Sequence, residues 1–200
     1  MSVARKFSGD RLIVATHNKG KIAEFAALLG DYVREFPGVG DLNLPEPEET
    51  GATFLENATI KALAAAQAAG CPALADDSGL CVNGLGGQPG VYTADWAGVP
   101  RDFVKAMRRV HDELGHNPDR SAYFISVLAL AWPDGHIEHV EGRVNGTLVW
   151  PARGAGGHGY DPIFVPEGRD RTFAEMVFEE KGQISHRGRA FAALIEKCFR

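Results

Sequence analysis

The apolar run Pro72-Ala73-Leu74-Ala75 passes directly into Asp76-Asp77-Ser78-Gly79, and this junction constrains the fold more than any other stretch of the chain. A short apolar run bounded by turn residues reads as a buried strand, which places two carboxylates at its carboxyl end. In an open α/β sheet that end is where ligands sit, and acids there can hold a hard cation against phosphates. A plain turn is the alternative reading, because Asp, Ser and Gly all favour turns. Two other segments have the same character. Leu12-Ile13-Val14-Ala15 passes into Thr16-His17-Asn18-Lys19-Gly20-Lys21, and a glycine-rich polar cluster, Gly156-Gly157-His158-Gly159-Tyr160-Asp161-Pro162, follows later. These three loops could converge on one site.

The rest of the chain fits around such junctions. Residues 1–10 are polar and expected to be flexible, and residues 11–200 read as one domain. Leu12 to Ala15 reads as a buried strand and Lys21 to Leu29 as a helix stopped by Gly30. Between Asp31 and Thr50, Pro37, Pro45 and Pro47 break any period, leaving a loop with one short strand near Tyr32 to Phe36. Thr53 with Glu56 three residues on forms a capping box for a helix whose stripe is Phe54, Ala58, Ala62, Ala65 and Ala69, ended by Gly70. Five glycines between Gly84 and Gly98 mark irregular backbone. Arg101 to Leu114 reads as a helix ending at Gly115, and Tyr123 to Trp132 as a strand buried on both faces. Pro133-Asp134-Gly135 then turns it into an antiparallel partner at His136 to Val144. A last helix starts at Ser185 as N-cap and carries Phe191, Leu194, Ile195 and Cys198 on one face. Trp96, Trp132 and Trp150 are assigned to packing.

Composition removes several function classes. The 200 residues are 44% hydrophobic and 24% charged, an ordinary globular balance. No run approaches the roughly 18 apolar residues of a membrane span, and the first residues lack a secretory signal, so a cytoplasmic protein is expected. Cys71, Cys81 and Cys198 have no metal-ligand spacing and suit a reducing compartment. A net charge of -5 argues against nucleic-acid binding, which needs many Lys and Arg contacts to phosphate. A small polyanion neutralised by a few local cations and a metal remains open.

The chemistry gathers in four places. Thr16 to Lys21 puts a hydroxyl, an amide and two ammonium groups at a helix N-terminus, which reads as a phosphate cradle or as a plain capped loop. Glu46, Glu48 and Glu49 precede the long helix; if one of them faces Asp77, the two carboxylates suit magnesium, and otherwise they are solvated charges. Adjacent Asp76 and Asp77 point opposite ways in an extended chain, so one of them, taken as Asp77, reaches the metal. Ser185-His186-Arg187 sets two basic side chains in the first turn of a helix, where the dipole disfavours them and a ligand would explain them. Lys181 adds a donor nearby in sequence. The glycines around His158, Tyr160 and Asp161 allow close backbone approach to a heterocycle, or make a tight structural turn.

At these residues the chain resembles the inosine triphosphate pyrophosphatases, the non-canonical purine nucleoside triphosphate pyrophosphatases of Ham1 type. The matching segments are Thr16 to Lys21, Glu48-Glu49-Thr50-Gly51 with Phe54 and Glu56-Asn57-Ala58, Ala75 to Leu80, Leu85 to Tyr92, Gly159 to Phe164, and Glu180-Lys181 with Ser185-His186-Arg187. Each alone is weak, whereas six in this order are specific.

The resemblance implies an α/β fold: an elongated mixed β-sheet flanked by helices, in two lobes with the active site in the cleft between them. It implies hydrolysis of inosine and xanthosine triphosphates and their deoxy forms between the α- and β-phosphates, with Mg2+ as cofactor and a homodimer as the working form. By the same resemblance Thr16, His17, Asn18, Lys19, Gly20, Lys21 and Lys181 hold phosphates, and Glu48 and Asp77 serve the metal. Asp77 is the catalytic group, and Ser78, His158, Gly159, Tyr160, Asp161, His186 and Arg187 contact the nucleotide. His17 replaces a small residue, and His158 stands where phenylalanine commonly stacks on the base. A non-catalytic nucleotide sensor and a pyrophosphatase for another modified nucleotide are the competing readings.

Overall fold

The computed structural model describes residues 3–200; the first two residues of the expected flexible N-terminus lie outside that range. The fold is α/β. Among the described residues the strands are β1 (Ile13–Val14), β2 (Ala73–Val82), β3 (Ser121–Ala131), β4 (Ile137–Leu148) and β5 (Phe164–Pro166), ordered β1-β2-β3-β4-β5 in one sheet. The sheet is mixed, with β1 parallel to β2 and β4 antiparallel to β5. The α-helices of the described residues are α1 (Lys19–Leu29), α2 (Phe54–Ala69), α3 (Phe103–Leu114), α4 (Phe178–Ile184) and α5 (His186–Leu194), and a π-helical turn, Ile195–Phe199, follows α5. Among the described residues no helix is long and apolar enough to cross a membrane. All three cysteines are free thiols.

Local chemistry sets most of these boundaries. Thr53 and Glu56 form the expected reciprocal box at the start of α2, and Gly70 ends the helix in the left-handed conformation at φ 62°. Ser185 Oγ accepts from the Gly188 backbone N–H and so caps α5. The β3–β4 turn closes through Trp132 N–H to the His136 carbonyl at 2.9 Å. The expected strand at Tyr32 to Phe36 is not a strand. Only isolated bridges form there, Arg11 with Glu35 and Val14 with Gly38, because Pro37 lacks the N–H that a ladder needs.

The largest correction concerns the aspartates. β2 does not stop at Ala75 but runs through Asp76-Asp77-Ser78-Gly79 to Val82, so the carboxylates lie mid-strand. Turn propensity is weak against strand pairing along both halves of a buried segment, and Leu80 to Val82 supply an apolar second half. Two elements were not legible: β5, only three residues long, and α4.

The chain divides into two compact units. The first comprises Met1–Asp77, Val127–Glu141 and Ala190–Arg200, and the second Ser78–Ser126 and Gly142–Arg189. The first has a core of Leu12, Val14, Phe25, Leu74, Leu128 and Phe191, with Phe25 and Phe191 meeting edge to face at 4.8 Å. Its N-terminal stretch is tied down, since Phe7 N–H donates to the Cys198 carbonyl and Phe7 stacks on Phe199. The second unit has a core of Leu80, Val110, Phe124, Leu148, Phe164 and Phe173.

Candidate functional site

In the first unit, the loop after β1 is organised by Asn18, the N-cap of α1. Its Oδ1 accepts from Gly20 N–H at 2.9 Å and Lys21 N–H at 3.3 Å, while Thr16 Oγ1 accepts from Asn18 N–H at 3.2 Å. No acid occupies the first turn of α1, and His17, Lys19 and Gly20 are exposed, so the end of the helix keeps its positive field. Lys21 Nζ is 3.0 Å from Asp76 Oδ2, a carboxylate whose side chain is 1% exposed. His17 Nε2 is 3.8 Å from Glu46 Oε2.

Asp77 points to a different helix, as strand alternation requires. Lys61 of α2 donates to Asp77 Oδ1 at 3.0 Å, to Glu49 Oε2 at 3.2 Å and to the Asp76 carbonyl at 3.2 Å. Burial pushes the Asp77 carboxyl up, the Lys61 ammonium pulls it back, and Glu49 and Asp76 add to the rise, which leaves it raised to about 6. Burial pulls Lys61 the other way, but the Asp77, Glu49 and Asp76 carboxylates more than offset this, so the ammonium is held above its ordinary range. Lys61 was missed in the sequence. The signal for it was a lysine three residues after Ala58 and one before Ala62, inside the apolar stripe of a helix that buries that face.

The residues fit a divalent cation on one observation: Asp77 Oδ2 is buried and has no hydrogen-bond partner among the described residues. An orphaned carboxylate oxygen is costly unless something positive completes it. Among the described residues no cluster of three or more His, Cys, Asp or Glu side chains gathers. Magnesium is usually held by one or two protein carboxylates and takes its other ligands from phosphates and water. Of the acidic loop, Glu49 is the residue paired with Lys61, and Glu48 is exposed.

The second unit carries Ser78 and the basic and glycine-rich segments. Arg187 Nη2 donates to Ser78 Oγ at 3.3 Å. His186 is 8% exposed and its ring stacks on Phe124 at 4.9 Å. In the glycine-rich loop, Asp161 Oδ2 accepts from His158 N–H at 2.6 Å and from Lys181 Nζ at 2.5 Å, so Asp161, Lys181 and the His158 backbone form one group. Gly157 adopts φ +74°, and a Cβ there would collide with the Asp161 carboxylate. The Tyr160 ring is 1% exposed and its hydroxyl donates to the Thr93 carbonyl at 3.0 Å. Burial holds that phenol well above its ordinary range. His158 is thus the exposed ring of the loop, and neighbouring Gly159 is half-buried. A separate cavity of about 270 Å³, lined by Val110, Leu114, Leu148, Trp150 and Ile163 among others, contains none of these groups.

The sequence model of the Ham1 family matches residues 12–197. The chain belongs to the Ham1 family. Similar relatives include a dITP/XTP pyrophosphatase of Gluconobacter oxydans, 55% identical over 195 residues, 97% of this chain and 94% of that one. Another dITP/XTP pyrophosphatase, from Rhodospirillum centenum, is 54% identical over 202 residues and covers 100% of both chains. Among solved structures, a Ham1 protein from Coxiella burnetii superposes with TM-score 0.87 at 39% identity, over 92% of this chain and 95% of that one. The Ham1 protein of Staphylococcus aureus does so with TM-score 0.85 at 38% identity, over 92% of this chain and 95% of that one.

Proposed function

We propose that the protein is a hydrolase that splits non-canonical purine nucleoside triphosphates, ITP, dITP, XTP and dXTP, into the monophosphate and pyrophosphate, removing them from the nucleotide pool. The observation that carries this reading is the buried Lys61–Asp77 pair with its orphaned Asp77 oxygen, since binding alone needs no desolvated carboxylate set against an ammonium. The names of the Gluconobacter and Rhodospirillum relatives support the substrate class.

In this mechanism Thr16, His17, Asn18, Lys19, Gly20 and Lys21 bind the phosphates at the N-terminus of α1. Asp77 and the exposed Glu48 would hold Mg2+, which supplies neutralisation of phosphate charge and a lowered pKa for bound water. Asp77 orients the attacking water and accepts its proton as the water oxygen bonds to the α-phosphorus and the bond to the bridging oxygen breaks. Lys61 keeps the Asp77 carboxylate ionised and fixes which oxygen remains available. In the second unit His186 and Arg187 donate to the 6-keto oxygen of hypoxanthine or xanthine, which an adenine amino group cannot accept. Ser78 steadies Arg187, and Lys181, held by Asp161, supplies a further donor. His158 offers its face to the base. Leaving such donors unpaired against the wrong base costs roughly 10⁴-fold or more in suitable sites.

We further propose a cytoplasmic homodimer, the working form that the family resemblance implies. The deciding experiment is product analysis with magnesium and dITP, XTP, dATP or dGTP, with Asp77→Asn as control. Monophosphate and pyrophosphate from dITP and XTP but not from dATP, lost in the variant, support the reading, and dGTP reports discrimination beyond the 6-keto oxygen that guanine shares. Tight binding without turnover would make the protein a sensor, and turnover of a different modified nucleotide would move the substrate class.

A further inference from the structure

His186, assigned to the base, and Lys181, assigned to the phosphates, rest on an aromatic layer that the reaction itself does not use. Phe124 of β3 is buried, stacks on the His186 imidazole at 4.9 Å with an interplanar angle of 15°, and meets Phe164 edge to face at 4.7 Å. Phe164 stacks on Phe173 at 5.3 Å, and the Lys181 ammonium lies over the Phe173 ring at 5.4 Å. All five residues belong to the second unit. A ring face beneath an imidazole restricts χ2, a torsion that is otherwise broad, so the direction of the two ring nitrogens is set by the packing of Phe124.

We infer that Phe124 is a positioning residue for base recognition: it holds the plane of His186, and Phe164 and Phe173 hold Phe124. The inference rests on the assignment of His186 to the base and deepens it. Leucine at position 124 keeps an apolar group of similar size but offers no flat face, so the imidazole gains freedom that binding must then remove. Tyrosine keeps the face.

The test is steady-state kinetics on dITP for Phe124→Leu, Phe124→Tyr, His186→Ala and the Phe124→Leu/His186→Ala double variant, with thermal melts on each. The expected result for Phe124→Leu is a KM raised about tenfold, the scale of one aromatic contact. Its kcat should stay within about twofold, since ground-state orientation of the base is what changes. Phe124→Tyr should keep the KM even where its buried hydroxyl lowers the melting temperature. The double variant should be no worse than His186→Ala, because Phe124 acts through that ring. In the proton spectrum, the His186 ring resonances should move downfield in Phe124→Leu as the ring current is lost. Additive effects in the double variant, an unchanged KM in Phe124→Leu, or a KM loss in Phe124→Tyr matching its loss of stability would overturn the positioning role. An unchanged KM in His186→Ala would overturn the assignment of His186 to the base and this inference with it. Should Phe124→Leu not fold, Phe124→Met, which also lacks a flat face, takes its place in the kinetics, the double variant and the His186 spectrum, with the same outcomes deciding.

Discussion

Lys61 Nζ stands 3.0 Å from Asp77 Oδ1 and 3.2 Å from Glu49 Oε2, so one buried ammonium serves two carboxylates and leaves Asp77 Oδ2 open. Lys61→Met should therefore do more than remove a charge. Asp77, already raised to about 6, would lose its lowering partner and keep Glu49 and Asp76 as neighbours. Its pKa should climb further, which moves the acid limb of the pH–rate profile to higher pH. Below the shifted limb the expected loss in kcat is up to roughly 10²- to 10⁴-fold, the contribution of a general base. An acid limb that stays in place in Lys61→Met would sink this account.

Cation binding should depend on pH in a defined direction. A carboxyl raised to about 6 is protonated below that value, and the proton competes with a metal for the same oxygens. Manganese titrated into the free protein and followed by electron paramagnetic resonance should bind progressively more weakly as pH falls through 6. Asp77→Asn should bind weakly at all pH values and show no such dependence.

Gly157→Ala tests the loop around Asp161. The backbone there is left-handed, and the added Cβ would enter the Asp161 carboxylate that holds Lys181. The strain costs on the order of 1–3 kcal/mol in stability, and the KM for dITP should rise because Lys181 loses its anchor. Lys181→Met should raise the KM without the full stability loss. Equal melting temperatures for Gly157→Ala and the wild type would show that the loop relaxes freely.

Acid stability should have a marked contribution from Glu138 in the first unit. Its carboxylate accepts from the Arg5 N–H at 2.9 Å, contacts His136 Nε2 at 2.9 Å and lies 3.0 Å from Lys197 Nζ. Burial raises its pKa, but those three donors outweigh burial and lower it from 4.5 to about 2. Because the folded value is depressed, the unfolded chain takes up the proton first. The stabilisation is present above 4.5 and is lost as pH falls toward 2. Thermal melts of wild type and Glu138→Gln should converge across that interval and differ most above it; a constant difference would refute the assignment.

Where the determinants are local, the residues announced the structure. The box at Thr53 and Glu56, the stop at Gly70, the cap at Ser185 and the turn at Pro133-Asp134-Gly135 each act within a few residues, and all appear as expected. The opposite orientations of Asp76 and Asp77 follow from strand alternation alone. Asp77 and the polar segments after β1 and around Asp161 stood out in the sequence as chemistry by residue type alone, whereas the strand end expected at Asp76-Asp77 is mid-strand and largely buried.

What only the tertiary structure decided is who meets whom and in how much water. The continuation of β2 through turn-forming residues depends on pairing partners distant in sequence, and β5 is too short to carry a period of its own. Lys61 reads as one charge in an alanine-rich helix until packing buries it against Asp77, 16 residues on. The rise of the Asp77 pKa is a burial effect, and burial is a property of the packed molecule. The layer of Phe124, Phe164 and Phe173 beneath His186 joins four separate segments. Capping and alternation are written into neighbouring residues, whereas desolvation and long-range contact exist only once the chain has closed on itself.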